Sequence, residues 1–522
     1  MTRRLFLTLL WVALILTGGG STRAEADESA LSDCHFALGD IWDDRDIPQH
    51  EIDGNELGAL SDFIRMLDRR EPGVTIVKGG DFSGWDFRAI VLSGVCFEES
   101  NLAGANFAGV SAPGAGFIKA DLTGANLAGA HMPAVMFRNA GLKHVVAAGA
   151  DFSGGHFDGG WFEGSVEGWN VDGANMTGFT FVCGMTVSDG CPVYQGGEGI
   201  SAKGADFTEA TLHSFGLHDV DLAGARIDRT IIGPGQITYL AQADFRGPVI
   251  LRGGDQDVLV SAAETQTLLV ENAKQAALEK VASFDCAKGA SKVEREICGE
   301  YASDLRRADR DMAALYERAK DVDPDAKPGQ LAWLRQRNKC AVAEYSSDCI
   351  RDSYDRRKGA LLGLLGETAW LAPGESALFI DDVLPVPAAY RQSELFARIT
   401  PALVGASMTN ILVERTGDGL YAIKGSAVGA NAHLCSIGAA SLYIDRESGW
   451  YIPVSEGPAI PIFRILDGRL EIFANGKPDY EQYPEVSDFM SCGMRAAFGE
   501  TTRIHAGEAL IKRYRQSLSE EM

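Results

Sequence analysis

The sequence predicts a multidomain, mainly β chain in three parts: a long repeat array, a helical unit and a small antiparallel β domain. Three observations carry this reading. Between residues 79 and 252 an apolar residue falls on every fifth position: Phe82, Phe87, Leu92, Phe97, Leu102, Phe107, Ala112, Phe117, Leu122, Leu127, Met132, Phe137, Leu142, Ala147, Phe152, Phe157 and Phe162. From Ser283 glycine becomes sparse, and Arg, Glu, Ala and Leu dominate up to Leu365. Beyond Gly366, short runs of strand-forming residues alternate with turn signals such as Gly417-Asp418-Gly419 and Asp467-Gly468.

A period of five belongs neither to a helix nor to a flat strand. Sustained over many cycles, it marks a repeat architecture. Two residues before each apolar position stands mostly a small residue or valine, as at Ala105, Ala115, Ala120, Ala125, Ala130, Ala140 and Ala150. Just before it often stands Asp or Asn, as at Asp81, Asn101, Asn106, Asp121, Asn126 and Asp151. Segments such as Ala120-Asp121-Leu122-Thr123-Gly124 and Ala125-Asn126-Leu127-Ala128-Gly129 resemble the pentapeptide-repeat family. The resemblance implies a right-handed quadrilateral β-helix, four pentapeptides to the coil. The central Phe or Leu points inward with the small residue two before it, because the coil is narrow. Residues one coil apart then stack at about the 4.8 Å strand spacing. Each buried large side chain contributes roughly 1.5–3 kcal/mol, against an ordering cost of about 1–2 kcal/mol per residue. No coil stands alone, so the array is the folding unit.

The register is imperfect. After Phe162 the apolar position slips by one, to Val166, Val171, Met176 and Phe181. From Val182 to Lys203 the ladder breaks. This stretch carries Cys183 and Cys191 with Gly196, Gly197 and Gly199, and reads as a side loop stapled by a local disulfide. The ladder resumes at Phe207, Leu212, Leu217, Leu222, Ile227, Ile232 and Ile237, then at Phe245 and Ile250.

Ahead of the array, Arg3 and Arg4, the apolar run Leu5 to Leu16 and Ala24-Glu25-Ala26 form the pattern of a cleaved secretory signal, with cleavage expected after Ala26. The run is short for a membrane span of about 20 residues, and no later stretch is long and apolar enough to cross a bilayer. Residues 27–78 are a lead-in. Asp53 and Glu56 resemble a capping box, followed by Leu57, Leu60, Phe63, Ile64 and Leu67 at helical spacing up to Gly73. Such a helix shields the open end of the first coil. Past the last coil, residues 253–282 hold a second capping helix, Ala263 to Ala282, with Leu268, Leu269, Leu278 and Val281 on its stripe.

Residues 283–365 read as a helical hairpin. Ser291 and Glu294 make a capping box. Val293, Ile297, Leu305, Met312, Leu315 and Tyr316 form one stripe, Pro324 and Pro328 a loop, and Leu331, Leu334, Ile350, Tyr354, Leu361 and Leu362 the return. Phe284-Asp285-Cys286, Val293-Glu294, Ile297-Cys298, Gln330, Trp333-Leu334, Arg337, Cys340, Cys349 and Tyr354 resemble the LprI-like lysozyme-inhibitor N-terminal domain, a small secreted helical domain of bacterial envelope proteins. The resemblance implies a disulfide-clamped hairpin whose four cysteines pair among themselves, joining its start to its end. Residues 366–522 form the small antiparallel β domain, with strands near Ile411–Glu414, Leu420–Ile423, Ser441–Ile444, Trp450–Val454, Ile460–Leu466 and Leu470–Phe473. Trp370 to Tyr390 is a linker or first strand. Cys435 and Cys492 join the ends of this domain.

The ten cysteines, Cys34, Cys96, Cys183, Cys191, Cys286, Cys298, Cys340, Cys349, Cys435 and Cys492, are even in number behind an export signal, which favours disulfides. Cys34 pairs with Cys96 by elimination. A zinc site is the alternative, but the nine histidines do not cluster with cysteines at finger-like spacing. His213 and His218, five apart, sit on different sides of a square coil. No phosphate loop, zincin helix or nucleophile elbow occurs, so the chain reads as a non-enzyme with no catalytic, cofactor or metal residues. A net charge of −24 over 522 residues argues against nucleic-acid binding and suits a basic protein partner. The expected role is a periplasmic or secreted scaffold. The alternative is inhibition of a lysozyme-type muramidase, docked by charge complementarity.

Overall fold

The computed structural model describes residues 48–520, except 71–72, 158, 182–198, 214, 290, 367–370, 430–432, 455–458, 467, 474–483 and 494–495. The expected signal segment, Cys34 and the loop with Cys183 and Cys191 lie outside the described residues.

The five-residue ladder winds into a β-solenoid of about eight turns. Parallel bridges join Asp81 to Asn101, Asn101 to Asp121, and Asn106 to Asn126, one coil apart. The inward phenylalanines are buried and stack in file: Phe97, Phe117 and Phe137 follow at ring-centroid spacings of 5.7 and 5.3 Å. Elsewhere on the ladder an Asp or Asn just before the central residue, as before Leu102 and Leu122, closes the corner. Asn101 Oδ1 accepts from the Ala103 amide at 3.0 Å, and Asp121 Oδ1 from the Thr123 amide at 2.9 Å, a side-chain substitute for a backbone turn. Gly104, Gly109, Gly124 and Gly129 follow at φ of 63–70°, the left-handed region where a Cβ is penalised.

The slip after Phe162 is a coil one residue short: Asp151 bridges Asn170, and His156 bridges Asn175. Here the expectation that only small residues fit two before the centre fails. Trp169, Phe179 and Ile200 occupy that position and are buried. Trp169 packs edge-on against Phe152 and Phe162, at 5.3 and 4.6 Å. Glycines and valines on adjoining repeats give up the volume. A Cβ on Gly160 would meet the Phe179 ring at 3.2 Å. After the insertion the array resumes at Ile200 and Ala202, before Phe207, since Asn170 bridges Ser201 and Asn175 bridges Asp206. Phe245 and Ile250 were expected inside but are only half-buried. Val249 and Leu251 fill the core instead: the strand still stacks in parallel on the coil below, with Leu251 over the inward Ile232 and Ile250 over Ile231, and it also pairs antiparallel with Gln256–Val260, so its side chains alternate with a period of two.

At the first coil, Asp53 caps only a single 3-10 turn, Gly54–Glu56. The capping helix proper, Leu60–Arg69, starts later, behind Ala59, so the Asp53/Glu56 box is not its start. Phe63 carries the cap, fully buried against Phe82, Phe87 and Phe97 at 6.1, 5.6 and 5.7 Å. Ile64 faces solvent instead of the core.

The far end is closed twice. Helix Ala262–Glu279, started by a Ser261–Glu264 capping box, sets Leu268 and Leu269 on the core. Its Leu278 and the following Val281 are exposed, because the helix runs past the coil toward the helical unit. Helix Glu394–Ala406, absent from the sequence reading, adds Phe396, Ile399 and Leu403 to the cluster that holds Ile237, Leu240 and Leu251. The stretch read as linker or first strand contains strand Ser376–Asp381, a central wall. Its Leu378 and Ile380 join the solenoid cluster, while Ala377 and Phe379 face the other way, into the β domain, as strand alternation requires.

That domain is a closed barrel. Its strands run in the order Leu420–Val428, Thr409–Gly417, Ser376–Asp381, Thr501–Ile504, Arg469–Ile472, Phe463–Leu466, Tyr451–Pro453 and Leu434–Ile444, the last pairing back to the first. Apolar side chains fill it. The helical unit comprises Lys292–Ile297, Ser303–Ala319, Ala326–Arg337 and Ser346–Leu365. Its two long helices pack around Leu305, Met312, Leu315, Ile350 and Tyr354. Leu331, expected on the stripe, is exposed. Among the described residues no helix is long and apolar enough to cross a membrane.

Candidate interaction surfaces

The expected disulfide residues are paired wherever both partners are described. Cys286–Cys298 and Cys340–Cys349 have Cα separations of 5.7 and 5.5 Å. The four cysteines do pair among themselves, but within each half of the unit and not from start to end. Helix Lys292–Ile297 folds the first half back on itself, and the turn Asn338–Val342 does the same for the second. Cys435 and Cys492 bond across directly opposed strand positions, at a Cα separation of 4.0 Å, rather than joining the ends of the domain. Cys96 is buried and disulfide-bonded, its partner lying outside the described residues.

Three interlocking cross-bonds hold the clamped end together. Lys292 Nζ donates to the Ala341 carbonyl at 2.7 Å, and the Ser346 and Ser347 hydroxyls both donate to Glu296 Oε1, at 2.7 and 2.6 Å. Behind it runs a buried polar chain. Arg337 donates to the Tyr354 hydroxyl at 2.9 Å, Tyr354 donates to Asp309 Oδ1 at 2.7 Å, and the Ser283 amide donates to Asp309 Oδ2 at 2.6 Å. Burial first, then the Asp309 charge, push the Tyr354 hydroxyl well above the ordinary tyrosine value. It stays a neutral donor, which is what a structural bolt needs.

The helical unit and the barrel are welded along a second seam. Gly359 and Gly363, one helical turn apart, let the loop at Arg446 and Ser448 reach the helix backbone. A Cβ on Gly359 would lie 2.3 Å from the Ser448 carbonyl oxygen. Beside them Arg464 bonds Asp355 at 3.0 Å and Glu471 at 2.6 Å, while Lys358 bonds Asp355 at 3.0 Å. The Arg464 guanidinium stacks 4.5 Å over Trp450. Burial works to raise the Asp355 carboxyl, but Lys358 and Arg464 outweigh it and hold it below the usual carboxylate value. Asp311–Arg469 and Arg307–Glu500 extend the seam. A cleft of about 620 Å³ opens along it, lined by Asp304, Arg351, Trp450 and Phe473 among others. Arg464–Asp355, Arg469–Asp311 and Arg307–Glu500 pair from one wall to the other, so the cleft reads as the edge of an interface between the two units. Sequence reading missed this seam because Asp355 and Lys358 look like a solvated helix pair, and their partners lie some hundred residues away.

The solenoid presents polar flanks. Ion pairs recur one coil apart, Glu99–Lys119 at 3.5 Å, Asp206–Arg226 at 3.3 Å and Glu209–Arg229 at 2.7 Å. Exposed, each contributes about 0–1 kcal/mol. The Arg88 hydrogen bond draws the Asp86 carboxyl down to about 2. His213 is partly buried beside Arg252 and Asp257. No cluster of three metal-ligating side chains occurs among the described residues.

Residues 115–154 match the family described as Pentapeptide repeats, in eight copies. The match covers a minor part of the chain. Solved structures similar to it include HetL, a pentapeptide repeat protein involved in heterocyst differentiation regulation from the cyanobacterium Nostoc sp. strain PCC 7120, at 25% identity over 34% of this chain and 74% of that one, with a TM-score of 0.17. QnrB1 (R167E, trypsin treated), a plasmid-mediated fluoroquinolone resistance protein, aligns at 19% identity over 30% and 71%, TM-score 0.17. A pentapeptide repeat protein of the Arabidopsis thaliana thylakoid lumen aligns at 22% over 31% and 73%, TM-score 0.08. No curated protein matches the chain.

Proposed function

We propose that this chain is a non-enzymatic interaction scaffold of the bacterial cell envelope, exported by its N-terminal segment. The observation that carries the reading is the way solenoid, helical unit and barrel are fixed to one another. One buried cluster runs from the coils into the barrel wall, and a charged seam ties the barrel to the helices. Rigid, acidic and continuous, such a body holds a partner in a set orientation at small entropic cost. Its described cysteines are all in disulfides, which suits an oxidising compartment. Fractionation of cells expressing the native chain should find it in the periplasm, beginning at Asp27 by N-terminal sequencing. Recovery from the cytosol with reduced thiols rejects the envelope reading.

A second reading is inhibition of a lysozyme-type muramidase. Its support is the helical unit at 283–365, which has the LprI-like cysteine set closed into two disulfides. Lysis of bacterial cell walls by purified lysozyme, with and without stoichiometric excess of the protein, decides it. Unchanged lysis rates reject it.

A further inference from the structure

The most exposed large apolar side chains among the described residues all belong to one place. Tyr301 is 92% exposed, Val342 90% and Tyr345 70%. Tyr301 follows the Cys286–Cys298 loop, and Val342 and Tyr345 lie inside the Cys340–Cys349 loop. The bonds from Lys292 to Ala341, from Ser346 and Ser347 to Glu296, and from Arg351 to Asp304 at 2.6 Å hold these segments side by side at one end of the helical unit. Exposed aromatics on a mobile loop lose affinity to ordering. Here two disulfides and four cross-bonds have already fixed the backbone that carries them. Tyrosine, with few rotatable bonds and a polar tip, is a favoured anchor at protein interfaces.

Charge specifies what fits. Each tyrosine is preceded by an exposed glutamate, Glu300 before Tyr301 and Glu344 before Tyr345. Neither glutamate has an ion-pair partner among the described residues, whereas the neighbouring Asp304 and Asp348 are taken by Arg351. A ring with a free carboxylate beside it receives a guanidinium or ammonium through both its face and its charge. The helical unit itself is nearly balanced, with 16 Lys and Arg against 15 Asp and Glu over residues 283–365, so the attraction comes from these two local carboxylates rather than from the chain's net charge of −24.

We propose that this disulfide-clamped end, centred on Glu300-Tyr301, Val342 and Glu344-Tyr345, is the docking surface for a cationic protein whose Lys or Arg side chains seat against the two Tyr–Glu pairs. The inference rests on the interaction-scaffold reading and names its surface. The test places a photo-reactive amino acid at Tyr301, at Tyr345 and, as a comparison, at exposed Val91 on the solenoid, in the full chain in living cells. The captured protein is then purified, and its affinity is measured for wild type, for Tyr301→Ala/Tyr345→Ala and for Glu300→Lys/Glu344→Lys. The expected result is cross-linking from positions 301 and 345 to a protein of basic isoelectric point. Both double variants should weaken binding at least tenfold, and the charge-reversed one should show a shallower salt dependence. Capture of a neutral or acidic protein, or binding unaffected by either variant, overturns the proposal. Cross-linking from Val91 alone overturns it while leaving the scaffold reading intact. Cross-linking from none of the three positions removes the scaffold reading and the docking surface with it.

Discussion

Gly405 lies directly on Gly253, backbone against backbone, where the helix of the barrel domain crosses the last strand of the solenoid. A Cβ on Gly405 would stand 1.9 Å from the Gly253 carbonyl oxygen, and one on Gly253 would stand 1.8 Å from that of Ala402. Neither obstacle is a flexible side-chain end, so a methyl at either position forces the two units apart. Gly405→Ala is expected to destabilise the protein by about 1–3 kcal/mol, even though alanine favours a helix over glycine by roughly 1 kcal/mol. Gly438→Ala, in a strand with open space around it, should stay close to wild type. Urea midpoints of the two variants measure the difference. Equal midpoints would show that the helix does not press on the coil.

What the sequence made legible follows the periodicity. The inward ladder from Phe82 to Phe162 could be read residue by residue because one period governs all of it. The reading lost accuracy wherever a second rule took over. Trp169 sits where alanine was expected because volume is balanced between coils, which a single repeat cannot reveal. Ile250 was placed inside on the period of five when the local backbone had changed to a period of two. Helix Glu394–Ala406 was hidden by Pro401, whose missing amide weakens a helical signal. The clamped end was only half visible. Its cysteines were obvious, but Tyr301 and Tyr345 read as ordinary residues until their exposure was known.

The exchange of volume between Gly160 and Phe179 can be tested as a cycle. Gly160→Ala alone should cost about 1–3 kcal/mol, because the methyl meets the Phe179 ring. Phe179→Ala alone should cost about 3–5 kcal/mol through the cavity it leaves. The double variant should be more stable than the sum of these losses implies, with a coupling of about 0.5–3 kcal/mol. Strict additivity would mean that the two sites do not share space.

The three described disulfides should differ in their contribution. Cys435–Cys492 closes 57 residues, against 12 for Cys286–Cys298 and 9 for Cys340–Cys349. Loop-closure entropy then assigns about 4 kcal/mol to the first and about 2.6–2.8 kcal/mol to each of the others. Paired Cys→Ser variants, compared by urea unfolding under oxidising conditions, should rank in that order. A larger loss for either short loop would show that these bonds act on the native clamp more than on the unfolded chain.

Arg464 serves Asp355, Glu471 and the Trp450 face at once, so its removal should be felt more than that of a surface cation. Arg464→Ala is expected to cost about 2 kcal/mol. That is less than the roughly 3–5 kcal/mol for breaking a fully buried pair, because both carboxylates reach solvent. Asp355 adds a pH signature. Its folded carboxyl lies below the unfolded value, so its contribution is present above the unfolded pKa of about 3.9 and is lost as pH falls through the folded one. The gap between wild type and Asp355→Asn, measured by urea unfolding at pH 7 and again near pH 3, should therefore narrow in acid.

His213 sets a separate limit in mildly acidic solution. Burial, then the nearby Arg252 charge, lower its imidazole below the ordinary value, against a smaller opposite pull from Asp257. A histidine depressed in the fold protonates first in the unfolded chain. Stability from this group is thus complete above about pH 6.5 and declines as pH falls toward the folded value, where the slope from this group ends. Urea midpoints taken from pH 7.5 down to 5 should fall for wild type and fall less steeply for His213→Gln. Asp355 of the seam, held below the usual carboxylate value, titrates beneath this window. A wild-type slope that survives His213→Gln unchanged would place the acid sensitivity elsewhere than the Arg252–Asp257 hairpin that closes the solenoid.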